Sequence, residues 1–409
     1  MSKTDIEVYS YRWIVLLLFM FANITMQLLW ICYASVGAQA MAFYGVTDLL
    51  MIDLLALTFM VVYIPVTFIS AWIIDKYGFR IGAGIGALLA GIFGFMRIFA
   101  FGDYTLALIF TIFIAIGQPF ILNAVTKLSA NWFPEDERTI ATGLAMLAQF
   151  LGIAITMLLT PELVVGNDLM VMLIIYGILS LTSGILFVVF VKDKPPTPPT
   201  TKEISERVVL TEGLRQLFKN KQFIILFIAF FVVLGIFNTV LTLIQQLVDP
   251  RGTFDVAFSG IVGGLILIGG IIGSLVSSAL NDKFKKPLLI LIISLLISTV
   301  SLFVLAFAYD QITLCLSGFF FGFGVLAAAP VSLEYAVDIT TPVPEASSNG
   351  MLMMIGQVGG ILFVLIFPEI TILNALGNAD LILAMIIQAV LFTIVLILAV
   401  YMKLKLTTK

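Results

Sequence analysis

Asp75-Lys76-Tyr77-Gly78-Phe79-Arg80 is a short charged interruption between two apolar runs, near 48–73 and 81–101. A helix needs about 20 predominantly apolar residues to cross the hydrocarbon core of a bilayer. Both flanking runs are long enough, so the interruption reads as a surface loop between two spans. Working outward, similar runs stand near 12–36, 104–130, 139–160 and 168–191, and again near 222–248, 256–280, 287–307, 311–335, 347–368 and 378–402. Twelve transmembrane helices are expected, which makes this an all-α membrane protein. The composition agrees: of 409 residues 61% are hydrophobic and 11% charged, against about 25% charged in a soluble domain. The apolar stretch after residues 1–11 is too long for a signal-peptide core, so the first helix is expected to stay in the chain.

Loop charge sets the expected orientation, because Lys and Arg gather on the cytoplasmic side. One side collects Lys3, Arg12, Lys76, Arg80, Arg138, the basic residues of 192–221, Lys283, Lys285, Lys286, Lys403, Lys405 and Lys409. The other side holds only Arg251. Both termini are therefore expected in the cytoplasm. The one long polar segment, 192–221, opens with clustered prolines and reads as a semi-rigid linker followed by a short surface helix. The chain then divides into 1–191, a six-helix bundle; 192–221, a cytoplasmic linker; and 222–409, a second six-helix bundle. Short tails and the confinement of Asn23-Ile24-Thr25 to the first span point to a prokaryotic inner membrane.

An offset of about 207 residues brings Asp75-Lys76 onto Asp282-Lys283, Gly143 onto Gly350, and Pro161-Glu162 onto Pro368-Glu369, with Gln149 and Gln357 one position apart. Two pseudo-symmetric halves repeated in parallel, with a solute site near mid-depth between them, is the major facilitator arrangement. The loop that opened this reading resembles the Asp-basic-x-Gly-x-basic loop of that superfamily. Gly78 permits a tight turn, and Asp75, Lys76 and Arg80, with Asp282 and Lys283 in the repeat, are the candidate gating residues. Ordinary positive-inside charge is the plainer reading of the same loop.

Polar residues inside the spans supply the candidate site. Asn23, Gln27 and Trp30 fall on one face of the first helix, and Asn238, Thr242 and Gln245 repeat the device on the seventh. Amides facing lipid would go unpaired at a cost of several kcal/mol, so these faces look inward, to line a cavity or to bond neighbouring helices. Gln118, Gln149 and Gln357 add neutral amides to helices 4, 5 and 11. Intramembrane charges are few: Asp53, Arg97, Lys127 and Glu334. Arg97 and Lys127, each about a turn from a helix end, could snorkel, and Asp53 could pair with Arg97. No carboxylate stands at mid-depth, which disfavours obligatory proton coupling. The chain has no His and two Cys, Cys32 and Cys315, so no metal site, cofactor or acid–base constellation of an enzyme is expected. A phosphate-binding Gly-Lys-Ser/Thr loop is also missing.

Further stretches resemble the FLVCR-related branch of the superfamily, named after a feline leukaemia virus receptor. They are Leu29-Trp30-Ile31-Cys32-Tyr33; Ala42-Phe43-Tyr44-Gly45-Val46; Ile116-Gly117-Gln118-Pro119-Phe120; Asn131-Trp132-Phe133; and, most specifically, the tenth helix from Pro330 through Glu334-Tyr335 and Asp338 to Thr340. The resemblance runs from about 12 to 368. It implies carriage of choline or related amines, with haem also attributed to the branch. It also implies a helix 1 Trp and a helix 7 Tyr boxing the ammonium. Trp30 fills the first position, but Asn238 fills the second, and Gln245 replaces an Asn; a more polar or hydroxylated solute suits that pair better. The reading is a facilitative or secondary active carrier of a small neutral or cationic organic solute. It works by alternating access, with a site formed by Gln27, Trp30, Gln118, Gln149, Asn238, Gln245 and Gln357. A proton-coupled metabolite or drug exporter is the alternative, and a membrane-embedded enzyme a remote one. The expected partners are the solute and the lipid bilayer, not nucleic acid, with the chain acting as a monomer.

Overall fold

The computed structural model describes residues 9–134, 137–164, 166, 168–197, 216–252, 254–255, 257–341, 343, 345–373 and 379–407. Among the described residues, twelve helices are long and apolar enough to cross a membrane. They are Tyr11–Ile31, Leu49–Tyr77, Phe79–Ala100, Tyr104–Trp132, Ile140–Leu163 and Met170–Phe190, then Lys221–Thr242, Ala257–Asn281, Pro287–Phe307, Gln311–Thr340, Ser348–Glu369 and Ile382–Lys405. Within lipid an α-helix satisfies every backbone group internally, which is why such apolar runs fold this way. Several helices start on a side-chain cap: Asp48 accepts from the Leu50 amide at 2.9 Å, Asp103 from Leu106 at 3.0 Å, and Asn220 from Gln222 and Phe223. These caps satisfy amide donors that a helix leaves open at its first turn.

The chain forms two compact units, Met1–Ile204 and Ser205–Lys409. Most of the expected linker, with its surface helix, lies outside the described residues. Each unit has the same internal pairing. In the first, span 1 packs on 5, span 2 on 4, and span 3 on both 4 and 6. In the second, span 7 packs on 11, span 8 on 10, and span 9 on both 10 and 12. Shifting the first scheme by six spans reproduces the second, so the repeat read from scattered coincidences is a repeat of packing. Small residues make the closest approaches possible, as expected where helices meet in lipid. A Cβ on Gly86 would come within 2.5 Å of the Gly117 carbonyl, between spans 3 and 4.

Four departures from the expected spans have local causes. The first helix stops at Ile31 instead of 36, because the Leu29 carbonyl accepts from the Arg97 guanidinium at 2.9 Å instead of extending the ladder. A separate short helix, Gly37–Tyr44, follows and ends on Gly45 in the left-handed region at φ 63°. The fourth span breaks between Leu122 and Val125. The Asn123 side chain at that break donates to Thr67 and Ser70 of span 2. The seventh span breaks at Leu243, so Gln245 sits on a short helix, Ile244–Val248, outside the continuous face assigned to it. The twelfth begins at Ile382, preceded by a two-stranded hairpin that pairs Ile372 with Asp380 and Leu373 with Ala379.

Candidate functional site

In the first unit the expected polar face is fully buried. Asn23 donates through Nδ2 to the Ala145 carbonyl of span 5 at 3.0 Å, and Gln27 donates through Nε2 to Asn23 Oδ1 at 3.2 Å. The Gln27 Oε1 is buried with no hydrogen-bond partner. One turn on, Trp30 is 6% exposed and its indole N–H donates to the Ala56 carbonyl of span 2 at 3.3 Å. Span 5 presses on this face at Gly152, where a Cβ would lie 3.0 Å from the Gln27 Cβ. Gln118 is buried and Gln149 half-buried. No hydrogen bond joins Trp30, Gln118 or Gln149 to Gln27 among the described residues.

In the second unit Asn238 Nδ2 donates to Gln357 Oε1 at 3.4 Å, linking spans 7 and 11 as Asn23 links spans 1 and 5. The Thr242 hydroxyl is buried without a partner. Gln245 is buried and hydrogen-bonds the Asp249 side chain, whose carboxyl burial pushes up against the lowering effect of that bond.

The intramembrane charges are placed differently from expectation. Arg97 does not snorkel; it is 1% exposed. Its Nη1 donates to the Leu29 carbonyl, its Nη2 to the Thr111 hydroxyl at 2.8 Å, and its guanidinium lies 5.6 Å from the Tyr33 ring centre. These partners are neutral, and Asp53, buried on span 2, is not among them. Tyr33 and Tyr44 share a 2.8 Å hydrogen bond, and burial pushes the Tyr44 hydroxyl up to about 12, so the pair stays uncharged. Lys127 is half-buried. Glu334 is exposed and accepts from the Asn281 amide at 2.8 Å. With Lys285, Tyr335 and Asp338 they line a cavity of about 100 Å³, too small to hold an organic solute of ordinary size.

At the charged loop, Gly78 has φ 92°, and a Cβ there would run into the Asp193 carboxylate. That carboxylate accepts from the Arg80 amide at 3.1 Å, closing the start of span 3 with a residue just past span 6. The Arg80 guanidinium donates to the Val188 carbonyl at 3.2 Å. Lys76 lies over the Trp72 ring, 4.7 Å from its centre, and Asp75 is exposed. In the second unit Lys283 lies over Phe284, while the Asp282 side chain is outside the described residues. Within the first unit, Arg12 and Glu137 form an ion pair at 3.0 Å.

Sequence reasoning missed one charged pair. Arg251, read as the one basic residue of the outer side, is buried against Asp380 at 3.2 Å, and donates to the Leu305 carbonyl. Both side chains are essentially inaccessible. The one signal available was a single basic residue, Arg251, on a side that otherwise carries only carboxylates in that half, Asp249, Asp255, Asp310, Glu369 and Asp380.

The profile of the Major Facilitator Superfamily matches residues 13–364. Solute carrier family 49 member A3 of Xenopus tropicalis is 30% identical over 388 residues, spanning 90% of this chain and 80% of that one. The choline/ethanolamine transporter FLVCR1 of Felis catus is 28% identical over 381 residues, spanning 88% of this chain and 68% of that one. Human choline/ethanolamine transporter FLVCR2 is likewise 28% identical, over 88% and 72%. Among solved structures, a bacterial homologue of the human lysosomal transporter Spinster superposes with a TM-score of 0.77 at 13% identity, covering 96% of this chain and 97% of that one. The nucleoside transporter NupG gives 0.71 at 15%, covering 95% and 99%. At those identities the likeness is one of fold.

Proposed function

The chain belongs to the major facilitator superfamily and is a multi-pass membrane transporter, and from that premise we propose that it carries a small organic amine or similarly polar solute by alternating access. The observation that carries this reading is the buried face of the first span. Asn23, Gln27 and Trp30 stand in a 21-residue helix whose other residues past Arg12 are apolar save Thr25, and Gln27 keeps an acceptor with nothing bonded to it. A buried polar atom left unpaired costs about 1–3 kcal/mol, so its retention calls for a partner that comes and goes. Trp30 supports an amine in particular, since an indole face attracts a desolvated cation by about 2 kcal/mol. The relatives named as choline/ethanolamine transporters support the same solute class.

On this reading Gln27, Trp30, Gln118 and Gln149 contribute from the first half, and Asn238, Gln245 and Gln357 from the second. Asp75, Lys76, Arg80, Asp282 and Lys283 tune the conformational exchange. Loop charge favours both termini in the cytoplasm. The test is a thermal-shift screen of the purified protein against amines, polyols and amino acids, followed by uptake into proteoliposomes. Trp30→Ala should abolish both the shift and the uptake of any hit; full affinity in that variant would overturn the site. Proton movement recorded during uptake separates a coupled carrier from an uncoupled one.

A further inference from the structure

We infer that Gln27 selects solutes whose ammonium carries at least one N–H, and so discriminates against quaternary amines; the inference rests on the carrier reading above. A carboxamide's two ends are hard to tell apart by shape, and its orientation has to come from its partners. Here a backbone atom settles it. The Ala145 carbonyl can only accept, so the end of Asn23 that faces it, 3.0 Å away, must be the NH2. That leaves Asn23 Oδ1 toward Gln27, and an oxygen can only accept, so Gln27 presents its own NH2 at 3.2 Å. The relay runs one way, and its last atom is necessarily an acceptor, Gln27 Oε1, buried and unpaired. Gln27 is held in this orientation by its bond to Asn23, not by its shape. Its stem lies against span 5 at Gly152, where the first span's Ile24 carbonyl is also in close contact.

Trp30, on the same face, spends its N–H on the Ala56 carbonyl. What remains unspent here is a bare acceptor oxygen, the second N–H of the Gln27 amide and an aromatic face. An N–H cation satisfies the oxygen and the ring: the proton goes to Oε1 and the alkyl or hydroxyalkyl arm lies on the indole. A quaternary ammonium can use the ring but has no N–H to give the oxygen.

The measurement compares near-isosteric pairs differing by one N–H against one N–CH3: N,N-dimethylethanolamine against choline, and trimethylammonium against tetramethylammonium. Binding is titrated on the purified full chain. The wild type should bind the N–H member about tenfold more tightly, the size of effect a bare buried acceptor produces. Gln27→Met, of similar length with only a weakly accepting sulfur in place of the amide oxygen, should bring the ratio close to one. Asn23→Leu should also weaken the preference, because Gln27 can then offer either end; thermal unfolding checks that both variants fold. An equal ratio in the wild type, an unchanged ratio in Gln27→Met, or no binding by either pair overturns the inference. Trp30→Ala, run alongside, separates the two levels. Lost amine binding with a Gln27-independent ratio sinks only the selectivity, whereas retained binding sinks the site itself.

Discussion

Arg97 and Arg251 are both buried guanidiniums, yet their charges are met differently. Arg251 has a carboxylate, Asp380, at 3.2 Å, and removing one member of such a pair strands the other. Arg251→Met or Asp380→Asn alone should cost about 3–5 kcal/mol, and the double variant Arg251→Met/Asp380→Leu should recover much of it; unfolding in detergent measures both. Arg97 instead caps the carbonyl end of the first helix, where a positive charge meets the negative end of the helix dipole. Asp249 carries a pH signature. Burial raises its carboxyl in the folded state, so folding takes up protons. Stability is then highest at low pH and declines as pH climbs from the ordinary carboxylate range to the raised value. Asp249→Asn should flatten that decline and be no less stable at neutral pH, which a series of melting curves across pH checks. At this scale the residues were legible but their partners were not. Asn23, Gln27 and Trp30 stood out because polar groups in apolar runs must look inward. The atoms that orient them, the carbonyls of Ala145 and Ala56, leave no mark in a sequence.

The elements were read correctly in number and missed at their breaks. Hydropathy reports that a run is apolar, and it is blind to a stop inside one. Leu243 interrupts the seventh span and residues 123–124 the fourth, each inside a run whose length alone reads as one helix. Asn123 at the latter break donates to Thr67 and Ser70. Asn123→Ala should therefore loosen spans 2 and 4 by about 1–2 kcal/mol and raise hydrogen exchange around 119–125. The charged loop between spans 2 and 3 was legible as a turn because of Gly78, but Asp193, which closes it, is distant in sequence. Gly78→Ala meets two obstacles together, a backbone at φ 92° and the Asp193 carboxylate. It should cost at least the 1–3 kcal/mol of a strained left-handed residue. Asp193→Gly in the same background relieves only the second, so the difference between their melting points separates strain from collision.

The whole molecule is two solutions of one packing problem, because spans 1–6 and 7–12 pair by the same rule. An even number of spans returns the chain to the side on which it began. Single cysteines placed at Ser10 and after Lys405, in a background with Cys32 and Cys315 replaced, should therefore react with an impermeant thiol reagent from the same side of sealed vesicles; opposite sides would refute the count. The pairing rule also bears on how the protein is made. Since every one of those helix pairs is closed within its own half, the first six spans have all their mutual partners once Phe190 has left the ribosome. Insertion can then proceed in two instalments, with the earlier one able to ripen in the bilayer while the later one is still being translated.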